Sequence, residues 1–322
     1  MKKKVAIVIL NYNGLHYLRK TLPAALNQKY DDFEVVVVDN ASTDGSLDFL
    51  KSFNNKIRLV VNEVNLGYSS GKNIGVDVAQ GDYIFSLDND VLLNSDATLN
   101  YLVSEIRKID ESSIISLAMV NEGESETKYY SYCYGFFGPV YNRSINVLRI
   151  TKGLFLSGAP MGGNMFFAKK TWNLIGGFDS TQPYYLDDFD LGARASVLGC
   201  ASYVSTMHFL PHLGVDQASN IEKWLWKYKY FFSGYSIVML KNYNLHNLLF
   251  RYPLFILFTL LKTFKYCLKY RNLKPVKSLF WSTKFLLGNI HNVIKARNII
   301  QSRRTTPKDL FLDISPPTFK KT

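Results

Sequence analysis

FEVVVVDNASTDGS, residues 33–46, is an unbroken valine run that ends on a carboxylate and passes at once into small polar residues. Consecutive valines without polar alternation describe a strand covered on both faces, the condition of a parallel sheet inside an α/β layer. The same pattern recurs on either side. KVAIVIL (4–10), IRLVVN (57–62) and DYIFSLD (82–88) read as further short strands. LHYLRKTLPAALNQ (15–28), GSLDFLKSF (45–53) and GKNIGVDVAQ (71–80) predict the helices between them. Strands alternating with helices predict βαβ units and a mostly parallel central sheet.

Ligands of such sheets gather at the carboxyl ends of the strands. Polar residues stand at four of those ends: Asn11 and Asn13, Asp39 and Asn40, Asn62 and Asn65, Asp88 and Asp90. Turn chemistry accounts for part of this, since Asp44 suits a helix N-cap and Asn, Ser and Gly suit turns. It does not account for four strand ends at once, which together predict one site. In an extended strand Asp88 and Asp90 share a face, and two like charges that close favour a cation between them. A hard divalent ion completed by substrate phosphate oxygens fits such a pair. The simpler alternative is that DND opens a solvated loop or caps the helix that NSDATLNYLV suggests. A dinucleotide site is not indicated, because LNYNGLHYL offers one glycine where G-x-G-x-x-G is needed.

The 322 residues suffice for a full core, and the net charge of +12 is unevenly placed. Residues 1–220 hold 19 Lys+Arg and 23 Asp+Glu; residues 221–322 hold 19 and 3. The two regions therefore meet different partners. Cys133, Cys200 and Cys267 lie far apart without metal-ligand spacing and read as reduced core thiols of a cytosolic chain. MKKKVAIVIL reads as a first buried strand rather than a signal peptide, because its apolar run is only six residues.

Beyond residue 112 the pattern turns irregular. KYYSYCYGFFGPVYN reads either as a hairpin shaping an acceptor pocket or as an aromatic core patch. GAPMGGNMFFAKKTWNLIGGFD follows, with NMFFAKK as a strand. In YYLDDFDLGARASVLG the residues Asp187, Asp188 and Asp190 precede or open a helix, where acidic groups are favoured. A strand CASYVSTMHFL then leads to His208 and His212.

In this order VILNYNG, VVVVDNASTDGS, NLGYSSGKNIG, GDYIFSLDND, GGNMFF…IGGFD, YLDDFDLGARA and HLG resemble an inverting family 2 glycosyltransferase of the GT-A fold, across about residues 4–215. Bacterial rhamnosyl- and galactofuranosyltransferases are the most similar subgroup. The resemblance implies that Asn11, Asn13 and Asp39 line the nucleotide pocket, Asp39 meeting the base, with Asn65, Gly67, Asn73 and Asp88 along the donor. It implies that Asp88 and Asp90 form an Asp-x-Asp motif for Mn or Mg, joined by a histidine. His212 fits that place better than His208, by its distance from Gly199 and from the trailing glycine. DDFD corresponds to a Glu-Asp-x-Asp pattern, which makes Asp188 the base and puts Asp187 where Glu is usual. Gly163, Asn164, Asp187 and Asp190 fall on the acceptor side. The implied partners are a UDP- or dTDP-sugar and a glycan or polyprenyl-linked acceptor in surface polysaccharide synthesis.

These residue types suit the chemistry. A departing diphosphate builds negative charge that a cation stabilises, and an attacking hydroxyl must lose its proton to a positioned carboxylate. Residues 1–220 are expected to form the catalytic domain, 221–305 a basic helical region and 306–322 a flexible end. In the basic region KWLWKYKYFF and LFRYPLFILFTLLKTFKYCLKYR interleave cations with aromatics. The uncharged run Tyr252 to Leu261 holds ten residues and includes Pro253. As a helix it reaches about 15 Å against a ~30 Å hydrocarbon core, so no membrane crossing is expected. Attachment to the inner face of the cytoplasmic membrane is expected instead; helices packed on the catalytic domain with a solvated basic face are the alternative. Two rival functions remain. A sugar nucleotidyltransferase needs a Gly-rich basic loop after the first strand, which NYNGLHYL lacks. A nucleic-acid-binding protein explains the basic region but not the acidic strand ends, and no nucleic acid is expected as partner.

Overall fold

The computed structural model describes residues 3–121, 128–135, 138–146, 152–182, 186–214 and 221–313. Its first half is the predicted alternation. Strands β1 (Val5–Asn11), β2 (Phe33–Asp39), β3 (Arg58–Val61) and β4 (Tyr83–Asp88) alternate with helices α1 (Leu15–Leu26), α2 (Ser46–Lys51) and α3 (Gly67–Val78). Then come α4 (Thr98–Lys108), β5 (Ile114–Asn121), and the strands β6 (Lys128–Gly135) and β7 (Gly138–Asn146), which pair as an antiparallel hairpin. After them follow β8 (Leu154–Ser157), β9 (Asn164–Ala168), α5 (Lys169–Ile175), α6 (Asp187–Val197) and β10 (Ser202–His212). The helices α7 (Ile221–Asn242), α8 (Leu245–Tyr270) and α9 (Lys274–Ser302) complete the chain's regular structure.

Eight strands form one sheet in the order β3-β2-β1-β4-β9-β5-β10-β8. The run β3-β2-β1-β4 is parallel, as is the β5–β10 pair; β9 is inserted antiparallel between β4 and β5. The chain builds outward from β1 through β2 to β3, and α3 then carries it back to the other side of β1. That reversal leaves a crevice at the strand ends between β1 and β4. Register sets the polar residues level with one another: Asn11 lies opposite Asp39, and Leu10 opposite Asp88.

Apolar residues cover both faces of the sheet, with Ile7, Val37 and Phe85 on one side and Val8, Val36 and Ile84 on the other. A third cluster joins Phe189, Ala193 and Val197 of α6 to Val238 of α7, Phe255 of α8 and Val293 of α9. The basic helices therefore pack on the sheet-bearing part through α6. Residues 306–313, expected as the start of a flexible end, are held in place. Phe311 is fully buried against Tyr134 and Tyr243, and Asp309 is buried in an ion pair with Arg304. Residues 314–322 lie outside the described residues.

α8 also departs from expectation. It continues through Pro253 for 26 residues and is long and apolar enough to cross a membrane by length and composition. Reading the uncharged run alone stopped at Arg251 and Lys262, whereas the helix tolerates both within an apolar window.

Candidate active site

β4 ends at Asp88, and the chain turns there, so Asp88 and Asp90 do not alternate along one strand as expected. The turn closes through Val91 N to Asp88 O at 3.3 Å. β10 then holds it from outside: Leu92 N donates to Pro211 O and Leu213 N to Asp90 O. His212 Nε2 lies 3.2 Å from Asp90 Oδ2, and Gly214 is required beside them because a Cβ there would overlap the Asp90 carboxylate. A register shift between Ser205 and Phe209 sets the second half of β10 so that His212 faces Asn121. His208 instead packs edge-on against Tyr101. Burial opposes charge on His212, but the Asp90 hydrogen bond and the charges of Asp90 and Asp88 outweigh it and raise its pKa.

A second acidic group opens α6. Leu186, at φ 79° and buried, turns the chain into the helix, so Asp187 and Asp188 are its first residues. A leucine in the left-handed region costs about 1–3 kcal/mol, and such strain collects at functional sites. Asp188 is 7 % exposed and accepts from Phe189 N at 2.8 Å. Burial, with the Asp187 charge beside it, pushes the Asp188 carboxyl well above the ordinary range; Asp187 is raised to about 6, chiefly by burial.

The two groups share one site. A Cβ on Gly162 would meet Asp188 Oδ2 at 3.4 Å, and one on the next residue, Gly163, would meet Asp88 Oδ2 at 3.4 Å. Tyr68 spans the same gap: its hydroxyl donates to Gly162 O at 2.6 Å. Burial first, then the charges of Asp88, Asp187 and Asp188, raise its pKa well above normal. Lys72 is fully buried with its ammonium 3.0 Å from Asp88 Oδ1. Sequence reading missed both residues. Lys72 had one signal, since it lies with Gly71, Gly75 and Val76 on the buried face of α3.

The nucleotide side is a web of amides. Asn11 Nδ2 donates to Asp39 Oδ1 at 2.9 Å, and Ser42 N donates to Asp39 Oδ2 at 3.0 Å. Asp39 is thus fully buried, with both oxygens engaged. Asn13, exposed and at φ 49°, accepts from Thr43 N, with the exposed Tyr12 beside it. Asn65 Oδ1 accepts from Asn40 Nδ2 and from Gly67 N, both at 2.8 Å. Asp44 does not cap one helix alone: it accepts from Leu15 N at the start of α1 and from Ser46 N at the start of α2.

Three expected site residues face elsewhere. Asn73 makes a reciprocal pair with the Phe178 backbone, at 2.8 and 2.9 Å. Asn164 is fully buried and clips the backbone of Leu117 on β5 through both amide atoms. Asp190 is fully buried with Arg194 at 2.8 Å, Lys241 at 2.9 Å and Asn242 at 3.0 Å; despite burial, those cations hold its pKa well below normal. Each of the three side chains thus has hydrogen-bond partners within the protein.

The donor set suits a hard cation. Asp90 Oδ1 is buried without a hydrogen-bond partner, and Asp88 Oδ1, although paired in charge with Lys72, also lacks an aligned donor. Among the described residues no three acidic, histidine or cysteine side chains converge closely enough to hold an ion unaided. Phosphate oxygens would complete such a shell.

A parallel half-sheet continued across an antiparallel strand, with its crevice lined in this way, is the GT-A architecture. The crystal structure of GalNAc-T7 with UDP, GalNAc and Mn2+ shares the fold, at a TM-score of 0.54 and 18% identity, over 66% of this chain and 44% of that one. The glycosyl transferase family 2 model matches residues 6–172, and the chain belongs to that family. Among characterised relatives, glycosyltransferase GlyG of Streptococcus pneumoniae is 29% identical over 138 residues, 42% of this chain and 45% of GlyG. Chondroitin synthase of Escherichia coli is 28% identical over 204 residues, 62% of this chain and 28% of the synthase. The matches span less than half the length of either relative.

Proposed function

We propose that the chain is an inverting, cation-dependent glycosyltransferase. It would move a hexosyl or deoxyhexosyl unit, rhamnosyl or galactofuranosyl in the narrowest form, from a UDP- or dTDP-linked donor to a hydroxyl of a glycan or polyprenyl-linked acceptor. Bacterial surface polysaccharide synthesis at the inner face of the cytoplasmic membrane is the setting this implies. The observation that carries the reading is the placement of Asp88, Asp90 and His212 against Asp187 and Asp188 across Gly162 and Gly163.

Asp88, Asp90 and His212 would hold Mn or Mg, which when bound supplies positive charge to the departing diphosphate. Asn13, Tyr12 and the Ser42 turn line the nucleoside side, and Asp39 fixes that edge by gripping Asn11 and Ser42. Asn65 and Gly67 present the first turn of α3 to the donor. Lys72 sets its ammonium against Asp88 Oδ1 and offsets part of the acidic charge there. Asp188 takes the acceptor proton, and burial, with the Asp187 charge beside it, raises its proton affinity. One displacement with base and leaving group on opposite sides inverts the anomeric carbon.

A thermal-shift screen of UDP-, dTDP- and GDP-sugars, with and without Mn2+, tests the reading. Stabilisation by one donor that requires the cation and weakens in Asp90→Ala is expected. A flat response across the panel, alongside salt-sensitive DNA binding, would favour the nucleic-acid alternative.

A further inference from the structure

We infer that the α8–α9 hairpin docks the protein on an anionic bilayer, lying in its plane with one apolar stripe among the acyl chains. This deepens the location given above and stands on different residues from the catalytic reading.

The two faces of α8 are unlike. Phe255, Thr259 and Thr263 point inward and are buried: Phe255 stacks on Phe232 and Tyr235, and the Thr263 hydroxyl meets that of Tyr228. The outer face carries Leu249, Leu257, Leu261, Phe264 and Leu268, each more than half exposed. Helical spacing lines these residues up in one stripe. α9 continues it with Leu273, Val276, Phe280 and Leu287. Where the helices meet, Leu260, Phe264, Leu268, Leu273 and Val276 line a groove of about 580 Å3, with Arg271 on its rim of residues. Contiguous apolar surface of this kind marks an interaction site.

Charge identifies the occupant. From residue 223 to 308 there are 17 Lys+Arg and no Asp or Glu. Lys265 and Lys269 are exposed on α8, and Lys277 and Lys284 on α9, interleaved with the leucines. Aliphatic side chains flanked by lysine stems are the pattern of an interfacial helix, with ammonium groups reaching lipid phosphates. Nucleic acid would instead ask for exposed aromatics on which bases stack, and the stripe is chiefly leucine. A crossing is disfavoured because the inner face of α8 is already packed on α7 and α9, while lysines recur through the last turns.

The test uses the full chain and vesicles of phosphatidylcholine alone or with phosphatidylglycerol. Flotation with the anionic vesicles is expected, at least tenfold weaker with the neutral ones and released by alkaline carbonate. Leu261→Asp/Phe264→Asp should weaken binding at least tenfold. Lys265→Gln/Lys269→Gln should weaken it by about fivefold per charge, and neither pair should alter the donor-dependent thermal shift. Absence of flotation, equal binding to neutral vesicles, or retention of DNA in place of vesicles would overturn the proposal. Retention after carbonate treatment would replace in-plane docking with a crossing. Vesicle binding without any nucleotide response would keep this inference and remove the catalytic one.

Discussion

At the scale of single residues, the most exacting feature is a pair of adjacent carboxyls whose burial resists their ionisation. Asp187 and Asp188 have folded-state pKa values above the ordinary 3.8. Folding therefore favours their protonated forms. The stability they lend is complete below about pH 4 and is lost as pH rises through about 6 for Asp187 and as Asp188 in turn ionises. Near neutrality the pair costs stability. Asp188→Asn should consequently raise Tm by about 1–3 °C while transfer falls by about 10²–10⁴ and donor binding persists; full turnover would remove Asp188 from the role of base. In the parent protein, transfer should decline as pH is lowered, because the base must be ionised. His212→Ala should weaken Mn2+-dependent stabilisation at least tenfold, and His208→Ala should leave it unchanged. Asp88, Asp90, Asp188 and His212, singled out at strand ends and a helix start, lie around one crevice in the structure. Asn73, Asn164 and Asp190 bond to the protein itself, which no spacing in the sequence reveals. Lys72 escaped because a lysine within a helix ordinarily reads as a solvated one.

Among elements, α6 does two jobs at its two ends of one turn. Asp187 and Asp188 face the crevice, while Asp190 ties the helix to Arg194 and to Lys241 of α7. Removing one partner of a buried ion cluster leaves the others uncompensated, at a cost of about 3–5 kcal/mol. Asp190→Asn should therefore lower urea stability by that order, and loss of transfer should follow loss of fold. Preserved stability would instead return Asp190 to the acceptor side. Asn164→Ala should cost about 1–3 kcal/mol by orphaning the Leu117 backbone between β5 and β9, with the donor response intact in the folded fraction. Strands were legible because unbroken apolar runs are a local property. The antiparallel insertion of β9 was not, since strand neighbours are chosen by the whole sheet.

For the molecule as a whole, the two unevenly charged regions share one core. α6, α7 and α9 share one apolar cluster, and Phe311 closes it near the end of the described chain. Phe311→Ala should cost about 3–5 kcal/mol, a loss that a flexible end would not show in chemical denaturation. The clamp that β10 places on the Asp88–Asp90 turn also orders the assembly in time. A nascent chain emerged only through residue 172 holds the strands of the parallel half and the acidic turn, yet has neither the imidazole nor the strand that grips that turn. If that turn holds a cation, the capacity should arise late in synthesis, after the final strand has closed over residues placed more than a hundred positions earlier. Until then the growing polypeptide has the strand ends of the parallel half without the side chain and strand that complete the crevice.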